Sequence, residues 1–108
     1  MADDGLGILG IIGAAALGIA ALAGVIFLVK ITYDAIHKYL NKAKQIPDAT
    51  TADLIKKRLA SGDYTVVCNV LNRKGKMLTA QSWEGKELDS RLDAEFGGRK
   101  KITYDLTA

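Results

Sequence analysis

The chain has 108 residues, of which 25% are charged, and a formal net charge of +3. That length holds one small folded domain rather than two, and so slight a basic excess is too weak to imply a nucleic-acid partner by itself. A single cysteine, Cys68, excludes an intrachain disulfide and any cysteine-cluster metal site.

No charged residue occurs from Gly5 to Val29, which reads GLGILGIIGAAALGIAALAGVIFLV. About 25 residues rising ~1.5 Å each give a helix of roughly 37 Å, enough to cross about 30 Å of hydrocarbon with some tilt. The run is therefore read as a transmembrane helix. A cleaved signal would begin with basic residues and carry a shorter apolar core, whereas Asp3 and Asp4 precede this one. Lys30, Lys38, Lys42 and Lys44 follow it closely. The positive-inside rule then predicts a single-pass membrane protein with its N-terminus outside and residues 30–108 in the cytoplasm. Gly10, Ala14 and Gly18 form one ladder of small residues, and Ala16, Ala20 and Gly24 form another. Such ladders let helix backbones approach closely in lipid, so these six positions are the expected helix-packing interface. The absence of any ionisable residue inside the run removes the usual marker of a proton or ion pathway.

Residues 30–45 read KITYDAIHKYLNKAKQ. Ile26, Val29, Tyr33, Ile36, Leu40 and Ala43 recur at spacings of three and four, which predicts an amphipathic juxtamembrane helix continuous with the span. Pro47 and Asp48 end it. Lys30, Tyr33, Lys38 and Lys42 are the residues expected to contact lipid headgroups. Residues 1–45 thus form the anchor and juxtamembrane helix, 46–51 a linker, and 52–108 a small α+β domain.

Within that domain, Thr50 and Asp53 have the spacing of a capping box and predict a helix to about Ala60, stopped by Gly62. Tyr64 to Asn72 is rich in β-branched residues, and Lys76 to Trp83 returns from an Asn72-Arg73-Lys74-Gly75 turn. A three-residue loop pairing Asn72 with Lys76 places Val66, Cys68, Val70, Leu78 and Ala80 on one face. Lys86 to Phe96 carries Leu88, Leu92 and Phe96 on one helical stripe before Gly97-Gly98. Lys100 to Leu106 alternates as a strand with Ile102, Tyr104 and Leu106 on its apolar side. The predicted fold is α+β: one transmembrane helix running into the amphipathic helix, then an α-β-β-α-β domain with a three-stranded sheet.

Residues capable of chemistry are sparse. His37 stands alone and reads as a surface or interfacial histidine; no metal or cofactor site is predicted. No serine has a histidine partner within the domain, and Cys68 sits on the predicted core face as an inert thiol. The Gly97–Lys101 stretch lacks the spacing of a phosphate loop and reads as a helix cap. Two basic clusters, Lys56-Lys57-Arg58 and Arg99-Lys100-Lys101, with Arg73-Lys74-Lys76 at the hairpin tip, suit anionic lipid or nucleic acid, and the interleaved acidic residues and few aromatics disfavour nucleic acid. Trp83, before Glu84-Gly85, reads as a core-edge residue or as a partner-docking anchor.

These features predict a non-enzymatic structural or interaction subunit of a membrane assembly, contacting lipid and built as a homo-oligomer or part of a larger complex. The layout of an apolar helix, an amphipathic continuation and a small sheet domain resembles that of the type IV pilins. Their leader-processing site and the Glu near the start of their mature helix are missing here. The resemblance implies a filament subunit as an alternative; filamentous-phage coat proteins, which also run acidic, then apolar, then basic but lack an appended domain, imply a virion coat subunit. A short chain with a Gly/Ala-rich span and a basic tail also fits a holin-like pore-forming protein.

Overall fold

The computed structural model describes residues 22–107, with side chains placed from Gly24 onward. Chain order is β1 (Leu22–Ile31), α1 (Tyr33–Ala43), β2 (Thr51–Arg58), β3 (Tyr64–Leu71), β4 (Met77–Leu88), α2 (Ser90–Phe96) and β5 (Lys101–Asp105). The strands form one five-stranded sheet in the order β1-β4-β3-β2-β5. Among the described residues, the β1–β4 pair is parallel and the other three pairs are antiparallel. Ala52 and Leu54 of β2, Val66, Cys68 and Val70 of β3 and Trp83 of β4 share one face by register. Both helices bury their apolar stripes there: Ile36, Leu40 and Ala43 from α1, Leu92 and Phe96 from α2.

This architecture replaces the predicted three-stranded α-β-β-α-β domain behind a spanning helix. The first correction concerns residues 22–31. They form a strand, not the end of a helix, and their parallel ladder runs from Leu22↔Ala80 to Ile31↔Leu88. An apolar run has no period that separates helix from strand. β-branched Val25, Ile26, Val29 and Ile31 favour the strand once a partner is present. Gly24, at φ 104°, occupies a conformation that no helix interior uses. Gly85 lets β1 close on β4. A Cβ there would stand 2.9 Å from the Leu28 carbonyl oxygen and 3.0 Å from Ile31 Cγ1. Among the described residues, no helix is long and apolar enough to cross a membrane.

The amphipathic helix is present but is not continuous with what precedes it. Thr32 caps it, its Oγ1 accepting from Ala35 N at 3.1 Å, so the helix starts at Tyr33. The stripe predicted from Tyr33 to Ala43 packs on the protein's own sheet.

The second correction concerns the helix predicted after Thr50, which is strand β2. Between β3 and β5 its backbone is paired on both sides, from Thr51↔Leu71 and Thr51↔Asp105 onward. Two ladders outweigh a modest local capping preference. The third concerns α2, which begins at Ser90 rather than Lys86, because β4 runs on to Leu88 and Asp89 caps the helix. Its stop is as read from the sequence: Gly97 adopts φ 59° and donates to the Asp93 carbonyl.

The β3–β4 hairpin closes as predicted, with Asn72 N donating to the Lys76 carbonyl at 2.9 Å. The faces beyond it do not follow. Register moves from Leu71↔Met77 to Val70↔Thr79, a one-residue bulge at Leu78. Since side chains alternate with period two, that bulge inverts every later residue of β4. Thr79, Gln81 and Trp83 join the Val66–Cys68–Val70 face, and Ala80 goes to the other.

Candidate functional site

The predicted site residues scatter. Gly10, Ala14, Ala16, Gly18 and Ala20 lie outside the described residues. Gly24 belongs to the strand β1 and is not part of a helix-packing ladder. Lys30 stands exposed near the end of β1, its Nζ 3.9 Å from Glu87. Lys38 and Lys42 are exposed on α1, away from its buried stripe. Tyr33 is half-buried under the Arg91 guanidinium, whose Cζ is 4.0 Å from the ring centroid. Trp83 is only 2% exposed and meets Tyr39 edge-to-face at 5.4 Å, which places its ring in the core and leaves little of it for a partner.

What the fold does present is the outer strand. Phe27 and Val29 are 73% and 76% exposed, and Val25 and Ile26 are 40% and 44%. Ile26 lies beside Trp83 on the helix-bearing face. Alternation therefore puts Val25, Phe27 and Val29 on the opposite face, which no described element covers. Half-buried Val67 and Leu71 of β3 extend that face inward. Between them and β1, β4 contributes the small residues Ala80 and Ser82. Large exposed apolar side chains gathered on one edge mark an interaction surface or an aggregation hazard.

A second constellation bridges α1, α2 and β5. His37 Nε2–H donates to both carboxylate oxygens of Glu95, at 2.9 and 3.1 Å, across 58 residues of sequence separation. Tyr33 stacks on the imidazole at 4.0 Å and Tyr104 meets it edge-on at 5.7 Å. Tyr104 Oη is buried with no hydrogen-bond partner among the described residues. Burial, then the neighbouring Glu95 carboxylate, hold that phenol far above its ordinary pKa. Asp89 ties the two helix starts together. It accepts from Tyr33 N at 2.9 Å and from Arg91 N at 3.0 Å, and these two N–H groups lower its pKa. The reading of His37 as a surface or interfacial histidine named none of these partners. The i, i+4 spacing of Tyr33 with His37 and of Arg91 with Glu95 was its only trace in the sequence.

Cys68 is fully buried, and burial pushes its thiol up to about 12. Burial likewise raises Tyr39 to about 12, with a Thr79 hydrogen bond offsetting part of the shift. Neither group is poised as a nucleophile near neutral pH. Among the described residues, no group of three or more His, Cys, Asp or Glu side chains is placed to hold a metal.

No family model, curated protein or solved structure matches this chain.

Proposed function

We propose that this chain is a non-enzymatic interaction subunit that works at a membrane, held there by an apolar sheet edge and the charge-free residues leading into it. The observation that carries this reading is the exposure of Val25, Ile26, Phe27 and Val29 on β1. Residues 22–29 of β1 are the C-terminal end of the stretch from Gly5 to Val29 that holds no charge. Water solvates such a surface poorly, at a cost of about 25 cal/mol for each Å² of apolar area left wet. Lipid or a neighbouring subunit removes that cost. The two helices cover the sheet's other face over β2, β3 and Trp83 but leave Ile26 exposed, so both the outward face and the edge of β1 have contacts to offer.

Fractionation of cells expressing the full chain tests the reading. The expected result is recovery in the membrane pellet, resistance to a high-salt wash and release by mild detergent. A Phe27→Asp/Val29→Asp variant should move largely to the salt-washed supernatant while keeping the wild-type circular dichroism spectrum. A monodisperse full chain that stays in the supernatant without detergent would sink the proposal.

A further inference from the structure

We propose that a cationic cavity at the far end of β2 binds a phosphate-bearing anion. The cavity measures about 390 Å³ and is lined by Lys56, Lys57, Arg58, Tyr64 and Lys100. The two basic clusters lie more than forty positions apart in the sequence. They meet here because the β2–β5 ladder continues past Ile55↔Lys101 to a Lys56 N–H bond with the Lys100 carbonyl at 2.8 Å.

The cations differ in what they already hold. Lys56 Nζ pairs with Asp93 at 3.1 Å, and Lys101, just outside the cavity, pairs with Asp53 at 3.5 Å. Among the described residues, Lys57, Arg58 and Lys100 have no carboxylate within ion-pair distance. Arg58 is also pre-oriented. Its Cζ lies 4.9 Å from the centroid of the Tyr64 ring, and its Nε–H donates to the Gly62 carbonyl at 3.3 Å. That arrangement leaves the two terminal guanidinium nitrogens to present a fork, which suits two oxygens of one phosphate. Lys100, which also lines the cavity, supplies a second, unpaired charge beside it. Convergent like charges repel each other, and a bound dianion converts that repulsion into attraction. A lipid headgroup and a soluble phosphorylated metabolite share this chemistry. The inference does not rest on the membrane reading.

Calorimetric titration of the full chain in uncharged detergent micelles with inorganic tripolyphosphate at low salt is the first arm. Saturable binding is expected, weakened about tenfold by Arg58→Ala and less by Arg58→Lys, which keeps the charge but loses the fork. Lys74→Ala, an exposed cation at the opposite end of β3, should leave affinity unchanged. Thermal melts check folding; should Arg58→Ala fail to fold, Lys100→Ala carries the comparison. The second arm measures binding to phosphatidylcholine vesicles with and without phosphatidic acid. Enrichment on phosphatidate that tripolyphosphate competes away, and that Arg58→Ala removes, assigns the phosphate to a lipid. Saturable tripolyphosphate binding without that enrichment assigns it to a free ligand. Equal affinity in the Arg58→Ala and Lys74→Ala variants, or no saturable binding to either probe, overturns the inference.

Discussion

The two outer strands of the described sheet treat their open edges in opposite ways. β5 has five residues, and Lys101, Thr103 and Asp105 alternate outward on it. Lys101 pairs with Asp53, and Thr103 Oγ1 donates to the same carboxylate at 2.7 Å. Asp105 accepts from Thr107, whose hydroxyl and N–H hold its pKa down. A short, charged edge discourages another strand from adding to it. β1 has ten residues, and its outward positions are Val25, Phe27 and Val29. One sheet thus carries one protected edge and one adhesive edge. Among the described residues, polar and charged side chains line the outward face of β5, whereas that of β1 is apolar from Val25 to Val29.

That contrast can be broken most severely at the β1–β4 seam. Gly85→Val would drive a branched side chain into the Leu28 carbonyl and Ile31. Overpacking of this kind should cost about 3 kcal/mol in chemical denaturation. Protease digestion should show β1 released while β5 stays protected. An unchanged denaturation midpoint would mean that the seam is looser than the 2.9 Å approach requires.

Alkaline pH comes next in expected size. Cys68 and Tyr39 have folded-state pKa values raised from 9.0 and 10.0 to about 12. A raised acid binds its proton more tightly when folded, so its contribution is complete below the unfolded value and disappears as pH rises through the folded one. Stability should therefore decline between about pH 9 and 12. Cys68→Ala should flatten the first part of that decline, as measured by denaturation at a series of pH values. The effect belongs to the covered face of the sheet and should leave the β1 edge untouched.

Smaller effects are expected where the helices meet. Glu95→Gln removes the charge from a part-buried pair with His37 and should cost about 1 kcal/mol. Tyr104→Phe deletes a buried hydroxyl beside Glu95 that has no hydrogen-bond geometry to any described residue, and should change stability by about 1 kcal/mol or less. A double-mutant cycle measures whether the two couple. Smallest of all, Thr103→Val on β5 should change stability by about 0.5 kcal/mol or less. It makes that edge more like β1, so a rise in self-association by analytical ultracentrifugation would sharpen the contrast. No change would show that charge at Lys101 and Asp105 alone protects β5.

Sequence by itself determined the locally encoded parts. The Asn72–Lys76 turn with Gly75 at φ 81°, the Ile36–Leu40–Ala43 stripe, the Gly97 stop and the alternation of residues 101–105 each depend on neighbours a few positions away. Tertiary structure decided the rest. Residues 22–31 and 51–58 became strands because ladder partners, Ala80–Leu88 for the first and Tyr64–Leu71 for the second, satisfied their backbones. The bulge at Leu78 chose which face of β4 meets the core, burying Trp83. Neither the His37–Glu95 contact nor the meeting of Arg58 with Lys100 was legible, since each joins residues more than forty positions apart. A turn or a cap is a bargain struck within one or two peptide units, whereas a strand exists only relative to the strand beside it.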